Sequence, residues 1–181
     1  MDAKREETEA GKDGTSGTQK RKRPGKARSS TYKELWDRPG YLVRRLHQIH
    51  LGLFAEECRG EDITPVQSAI LTILRNGEEM DQLTLSTSVG IDRTSGADVI
   101  RRLESRGLIS RQPSQEDGRA KIVRITPQGR DFIRRVQPMV VRAQKRLVAP
   151  LTEDERAEFQ RLVNKLIEAN NEASRAPMGT H

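Results

Sequence analysis

Residues 91–129, IDRTSGADVIRRLESRGLISRQPSQEDGRAKIVRITPQG, contain the pattern that decides the fold. Asp92 is a natural N-cap, and the apolar spacing after it predicts a helix over about 93–106. Two short apolar runs follow and predict strands at 108–111 and 121–125. Between them lies a segment with Pro, Ser, Asp and Gly, the residues that favour turns. The stretch therefore predicts a helix followed by a β-hairpin with a long tip.

Two further helices are predicted just before this stretch. Thr64-Pro65-Val66-Gln67 combines an N-cap, a proline at the first helical position and a capping-box glutamine, which predicts a helix over 65–75. A shorter helix is expected over 81–88, and Gly90 supplies the turn after it because glycine adopts a positive φ at little cost. Two helices separated by a glycine turn and followed by a hairpin are the elements of a winged helix-turn-helix.

Three longer helices are expected around this unit. The first, over 39–58, has a wide apolar stripe that needs more than one neighbour to cover it. The second covers 127–148, where Pro138 is expected to interrupt and kink it. The third begins at a capping box formed by Thr152 and Glu155. The fold class is therefore mainly α with a small β-hairpin wing, and its core is aliphatic because aromatic residues make up 3% of the chain.

The composition favours a polyanionic partner. The 181 residues include 33 Lys and Arg against 26 Asp and Glu, a formal charge of +7, and basic side chains on a duplex release condensed counterions. There is no run of about 18 apolar residues and no secretory signal, and Cys58 is the one cysteine, so we expect a cytoplasmic protein without membrane contact or disulfides. No phosphate-binding loop, HExxH or nucleophile elbow is present, so we expect no enzyme activity, metal or cofactor.

Residues 1–30 lack apolar periodicity and are expected to be disordered. They contain a basic run, KRKRPGKAR, at 20–28. This run is either an arm that reaches DNA or a solvated tail, and the pattern alone does not separate the two.

The helix over 93–106 has a polar, basic face near its N-terminus, as a helix that enters the major groove needs. Its candidate DNA-binding residues are Arg93, Thr94, Ser95, Asp98, Arg101 and Arg102. The candidates in the hairpin are Arg111, Asp117, Arg119 and Lys121. Arg119 in the loop is suited to the narrow minor groove, and Asp117 would orient a nearby arginine. We therefore predict a protein that binds double-stranded DNA.

The same stretch resembles the core of the MarR family of winged helix-turn-helix transcriptional regulators. The similarity rests on Leu103, Gly107, Leu108, Ile109, Asp117, Arg119, Ile125, Thr126 and Gly129. TPVQSAILTIL and LTEDERAEFQRLVNKL are similar to the second and last helices of the family. The resemblance implies a homodimer on a pseudo-palindromic operator, and repression that a small ligand relieves. One departure is Asp98, where many members have a basic residue; an acid there either accepts from cytosine N4 or repels phosphate.

The resemblance also implies a helical dimerisation region built from the three longer helices, over 39–58, over 127–148 and after the capping box at Thr152. On that basis the chain is expected to comprise a disordered basic tail (1–30), an N-terminal dimerisation helix (31–62), a winged helix-turn-helix region (63–126), C-terminal dimerisation helices (127–174) and a frayed tail (175–181).

The segment RPGYLVRRLHQIHLGLFAEE resembles a MarR subgroup associated with aromatic-compound catabolism, which implies a small-molecule effector such as an aromatic acid or its CoA thioester. The candidate effector-binding residues are Trp36, Tyr41, Arg44, Arg45, His47, His50 and Phe54. A ligand carboxylate would need a cation, and a ring would need apolar walls. For His47 and His50 the alternative is that they are satisfied interface residues.

Other functions stay open at this point. A thiol redox sensor would use Cys58, but Glu56 and Glu57 beside it should raise the thiol pKa and so oppose reactivity. A zinc sensor would need more ligands than His47, His50 and Cys58 supply in one place. An architectural DNA-binding protein, driven by the basic tail, would hold no single site against random DNA.

Overall fold

A computed structural model describes residues 32–77, 79–113 and 121–178, with only the backbone at Lys33. These residues form two units. The first, 32–38, contains the short helix α1 (Lys33–Trp36), in which the Tyr32 and Trp36 rings stack with centroids 6.1 Å apart. The second begins at Pro39 and carries every other element.

The second unit is mainly helical. Its elements in chain order are α2 (Pro39–Glu57), α3 (Pro65–Arg75), β1 (Met80–Asp81), α4 (Gln82–Ser88), α5 (Arg93–Ser105), β2 (Ile109–Pro113), β3 (Lys121–Ile125), α6 (Pro127–Val148) and α7 (Glu153–Ala169), followed by a 3-10 turn at Asn171–Ala173. The predicted fold class, mainly α with a small hairpin wing, is confirmed.

Both predicted capping boxes are present. The Thr64 hydroxyl accepts from the Gln67 amide at 3.2 Å, while the Gln67 side chain accepts from the Thr64 amide at 3.0 Å. Thr152 and Glu155 repeat this arrangement at the start of α7. Each box satisfies backbone donors that the first helical turn leaves unpaired, which fixes where the helix begins.

The sheet has three antiparallel strands in the order β1-β3-β2. The hairpin pairs Ile109 with Ile125 and Arg111 with Val123. Strand β1, which pairs Met80 with Val123, was not expected from the sequence. A two-residue strand has no periodicity to detect, and it forms because β3 offers it a free edge.

A short hydrogen-bond chain joins the wing to α6. The Thr126 hydroxyl donates to the Gly107 carbonyl at 2.7 Å and accepts from the Gly129 amide at 3.0 Å. A β-carbon at Gly129 would lie 2.0 Å from the Leu108 carbonyl oxygen. Glycine is therefore required at position 129, because this close approach leaves no room for a side chain.

The core is aliphatic, as expected. Its fully buried side chains include Ile70, Leu71, Leu74, Leu85, Ile100, Leu103, Val123, Ile133 and Val136. They come from α3, α4, α5, β3 and α6, so the helix-turn-helix and the sheet share one core with the long helix α6.

Helix α6 continues through Pro138, so the expected interruption there is wrong. Pro138 lies on an exposed part of the helix, while Val136 and Ala143 on either side of it are buried. Packing along the buried face holds the helix together although the proline donates no backbone hydrogen bond.

Candidate nucleic-acid interface and ligand cavity

Helix α4, the turn at Gly90 and helix α5 form the helix-turn-helix. Gly90 has φ +71°, a left-handed conformation that side chains oppose, and this allows the sharp reversal between the helices. The helices then meet at Ser86 and Gly96, both of which are buried. The glycine turn and the small residues at the contact set the angle at which α5 is presented.

Asp92 organises the N-terminus of α5. Its Oδ1 accepts from the amides of Thr94 and Ser95, both at 3.0 Å, and its Oδ2 accepts from the Ser95 hydroxyl at 2.7 Å. The Ser95 side-chain hydrogen bond is the main cause that lowers the pKa of Asp92. The cap therefore fixes the first turn of α5, and it already engages the hydroxyl proton of Ser95, so towards DNA that oxygen acts as an acceptor.

All six candidate residues of α5 are exposed. Gly96, Ile100 and Leu103 face the core, and the opposite side carries Thr94, Asp98, Arg101 and Arg102, while Arg93 and Ser95 are exposed in the first turn. The Arg101 guanidinium donates to Asp98 Oδ1 at 2.7 Å. The helix thus presents a basic face with one carboxylate within it.

In the wing, Arg111 has an intramolecular partner. Its Nε donates to Glu104 Oε2 at 2.9 Å, and its Nη2 contacts the same oxygen. This hydrogen bonding raises the pKa of Arg111 and lowers that of Glu104. Arg111 therefore ties β2 to α5, whereas Lys121 on β3 is exposed. Asp117 and Arg119 lie outside the described residues.

Comparison with known proteins identifies the chain. Residues 63–121 match the family model described as MarR family. YdgJ of Bacillus subtilis, an HTH-type transcriptional regulator, is 33% identical over 116 residues, which are 64% of this chain and 69% of YdgJ. The PcaV transcriptional regulator of Streptomyces coelicolor, solved in complex with its natural ligand, superposes with a TM-score of 0.69 at 36% identity, over 75% of this chain and 95% of PcaV. The chain belongs to the MarR family.

Another structure of this MarR-family fold is BpsR of Bordetella bronchiseptica, whose DNA binding is regulated by 6-hydroxynicotinic acid. It superposes with a TM-score of 0.69 at 25% identity, over 72% of this chain and 94% of BpsR. As a MarR-family member, the protein described here is a transcriptional regulator that binds double-stranded DNA as a homodimer, as predicted.

Two apolar surfaces of this MarR protein are left uncovered by the residues that the structure describes. None of the residues of α7 is buried, and the helix exposes Leu162, Leu166 and Ile167. Helix α2 exposes Leu42, Val43, Leu46 and Ile49. No helix among the described residues is long and apolar enough to cross a membrane, and the same residues include no cluster of three or more His, Cys, Asp or Glu that could hold a metal ion.

A cavity of about 370 Å³ lies between α2, α3, the end of α4 and α6. It is lined by Phe54, Pro65, Ser68, Ala69, Thr72, Ile73, Ser88, Val89, Gln137, Val140 and Gln144. The Thr72 hydroxyl donates to the Ser68 carbonyl at 2.8 Å and lies 3.4 Å from Gln137 Oε1 across the helix pair. None of the described residues that line the cavity carries a formal charge.

Among the six effector candidates in α2, Phe54 lines the cavity and the other five do not. Arg44, Arg45 and His47 are exposed, and Tyr41 and His50 are half-buried. The seventh candidate, Trp36, lies in the unit 32–38. The lining polar residues Ser68, Thr72 and Gln137 were not predicted, although Ser68 and Thr72 lie one helical turn apart on α3, beside its apolar residues, which is a signal for a polar site.

One ring nitrogen of His50 has no hydrogen-bond partner in the described part of the chain. Its ring lies 6.3 Å from those of both His47 and Phe54, and its Nδ1 is buried without a hydrogen-bond partner among the described residues. Burial, and then the nearby His47, lower the pKa of His50, so the ring is neutral at physiological pH.

Cys58 is poorly placed for redox sensing. It is 3% exposed, and burial raises the pKa of its thiol, with further contributions from Glu57 and Glu61. The predicted direction of the shift is correct, but Glu61 replaces Glu56 as the second acidic neighbour. A buried thiol with a raised pKa holds little thiolate, which is the reactive form.

Proposed function

We propose that the protein is a repressor that binds a pseudo-palindromic operator and is released when a small aromatic ligand fills the cavity beside Phe54. The observation that carries this proposal is the composition of the cavity wall. It joins α2 and α6, long helices on the dimerisation side, to Ser88 and Val89 at the end of α4, directly before the recognition helix α5. The role is regulatory rather than catalytic, and it is exercised in the cytoplasm where the operator DNA lies.

The uncovered faces of α2 and α7 form the dimer interface in this proposal. Leu166 on α7 is 62% exposed and Val43 on α2 is 65% exposed, which is costly for large apolar side chains unless a partner covers them. A two-fold axis through this interface would present two copies of α5 to successive major grooves, about 34 Å apart.

In the proposed complex, the N-terminal turn of α5 meets base edges through Arg93, Thr94 and Ser95. Arg102 and Lys121 are exposed cations placed to neutralise phosphates. The insertion of Arg119 into the minor groove stays a prediction from the sequence, and Arg111 is left out because Glu104 engages it.

The ligand would release the operator by acting on Ser88 and Val89, the cavity-lining residues at the end of α4. A ligand that separates Val89 from α3 and α6 would displace the end of α4 and with it α5. Because the two recognition helices must match the groove spacing together, a small change in their orientation weakens both contacts. The ligand acts by binding the displaced arrangement more tightly than the DNA-competent one.

The lining chemistry favours a particular ligand class. Phe54, Ile73 and Val140 provide apolar walls for a ring, while Thr72, Gln137 and Gln144 provide hydroxyl and amide groups. A carboxylate would find no cation among these residues, and burying an unpaired charge is unfavourable. An aromatic compound whose polar groups are hydroxyls or amides therefore fits better than a free acid or the bulk of a CoA thioester.

The first experiment selects genomic DNA fragments bound by the full-length protein, followed by gel-shift titration at physiological salt. A repressor holds one pseudo-palindromic site against excess random DNA, whereas an architectural protein does not. A failure to hold any site would reject the proposal.

The second experiment titrates the operator complex with an aromatic acid, its primary amide and its CoA thioester. We expect the amide to release the operator at the lowest concentration. Ala69→Leu, which fills the cavity, should keep operator binding and lose release, while His47→Ala on the exposed face of α2 should respond like the wild type. Release that survives Ala69→Leu and disappears with His47→Ala would place the ligand elsewhere.

A further inference from the structure

We propose that Asp98 and Arg101 act as one unit that recognises a C·G base pair at one position of each operator half-site. The inference rests on the proposed binding of α5 in the major groove and names a specificity element within it. Its starting point is the 2.7 Å contact between Arg101 Nη1 and Asp98 Oδ1.

Asp98 lies in the middle of the face that would meet DNA. It precedes the fully buried Ile100 by two residues, or about 200° around the helix, so its side chain projects directly away from the core. Thr94, Arg101 and Ser105 flank it on the same exposed side. A carboxylate here approaches the groove whenever α5 does.

Stability does not account for the pair. The two side chains are 56% and 65% exposed, and exposed ion pairs three residues apart on a helix contribute very little to folding. A lone carboxylate at this position would only repel phosphates. Its pairing with Arg101 reduces that repulsion and leaves Asp98 Oδ2 available as an acceptor.

The pairing also moves Arg101 towards the bases. Arg101 is one turn further along α5 than Asp98, where an unrestrained side chain would reach the phosphates. The hydrogen bond to Asp98 draws its guanidinium back towards the N-terminal part of the helix, which enters the groove most deeply. The arginine and the aspartate are thereby presented side by side.

Side by side, these groups match one base pair. In the major groove C·G displays the cytosine N4 donor beside the guanine O6 and N7 acceptors, and the Asp98–Arg101 pair displays an acceptor beside donors. An A·T pair has its adenine N6 donor between two acceptors, so a carboxylate that accepts from N6 leaves a single acceptor beside it, whereas C·G offers the guanidinium two adjacent acceptors. The pair therefore discriminates in favour of C·G.

The test compares base preferences of the wild type, Asp98→Ala and Asp98→Asn by selection from a randomised half-site library. The wild type should require C·G at one position per half-site, with a discrimination of about 5- to 150-fold. Asp98→Ala should accept any base pair there and keep its preferences elsewhere. Asp98→Asn should shift the preference towards adenine, because asparagine pairs with adenine N6 and N7.

The matched control is Asp131→Ala, which breaks another exposed pair three residues apart, Asp131 with Arg134 on α6. It should leave every preference unchanged. If Asp98→Ala tightens binding to all sequences equally and keeps the same consensus, the carboxylate only repels DNA and the inference is wrong. A wild type that selects no consensus would instead reject the repressor proposal itself, and thermal unfolding of each variant shows whether the fold is retained.

Discussion

Gly96 of α5 approaches Ser86 of α4 so closely that a β-carbon at position 96 would lie 2.0 Å from the Ser86 Oγ and 2.6 Å from its Cβ. Ser86 is 1% exposed, and its hydroxyl donates to the Gln82 carbonyl at 2.7 Å. Rotating the serine moves Oγ but not Cβ, so it cannot make room. The orientation of the recognition helix therefore depends on the absence of a side chain at one position.

Gly96→Ala should reduce stability by about 1–3 kcal/mol, the usual cost of overpacking a dense core, and should weaken operator binding further because α5 is displaced. Ser86→Gly removes the opposing Cβ, so the double variant Ser86→Gly with Gly96→Ala should recover part of both losses. Chemical denaturation and gel-shift titration measure the two effects. Losses that simply add in the double variant would show that the two residues are not coupled.

Gly40→Ala is a suitable control for these measurements. Gly40 lies in the first turn of α2, and a β-carbon there would meet no atom within 4 Å. Alanine has a higher helix propensity than glycine, so this variant should be as stable as the wild type or slightly more stable.

The parts of this fold that depend on nearby residues were predictable from the sequence. The Thr64–Gln67 and Thr152–Glu155 boxes act over three residues, and Gly90 acts at a single position, so each leaves a local signal. Strand β1 was missed because two residues become a strand only when β3, some forty positions later, lies beside them.

In the candidate site, too, the features set by nearby residues were predictable and those set by distant residues were not. The exposed face of α5 was predictable because helical periodicity places its residues. The partner of Arg111 was not, since Glu104 reaches it only after the chain has turned from α5 into β2. Of the residues that line the cavity, Phe54 was among the candidates, but those of α3, α4 and α6 were not, because they come together only when these helices pack.

Leu166→Lys should convert the dimer into monomers. Leu166 is 62% exposed in the single chain, so the change costs the fold itself little. If the partner covers this residue, each dimer loses two buried leucines and gains two buried charges, which should weaken association by at least about 3 kcal/mol. Sedimentation equilibrium measures this, with Lys165→Glu on the adjacent polar position as the control. A Leu166→Lys protein that stays dimeric would exclude α7 from the interface.

Lys121→Ala and Arg111→Ala should separate a DNA contact from a structural one. Lys121 is exposed, so its loss should weaken binding to all sequences and lower the slope of log K against log salt by about one, without changing thermal stability. Arg111→Ala leaves the half-buried Glu104 without its partner and should lower stability by about 1 kcal/mol or more. Equal melting temperatures for the two variants would contradict this assignment.

Acid should destabilise the contact between α2 and α6. Glu57 accepts from Arg142 at 2.9 Å and from Arg146 at 2.8 Å, and these hydrogen bonds lower its pKa below the ordinary value of 4.5. A lowered carboxyl pKa contributes stability that is fully present above the unfolded value and is lost as the pH falls through the folded one. The loss is therefore expected below about pH 5.

Glu57→Gln removes this titration while keeping the size of the side chain. The variant should be less stable than the wild type at pH 7, and the difference should shrink as the pH falls from about 5 to 3, because the wild-type carboxyl becomes neutral over that range. Urea denaturation at fixed protein concentration across this range measures the two curves. Glu168→Gln, at an exposed position of α7, should follow the wild type throughout. Parallel curves for Glu57→Gln and the wild type would show that the pairs with Arg142 and Arg146 contribute nothing that depends on the charge of Glu57.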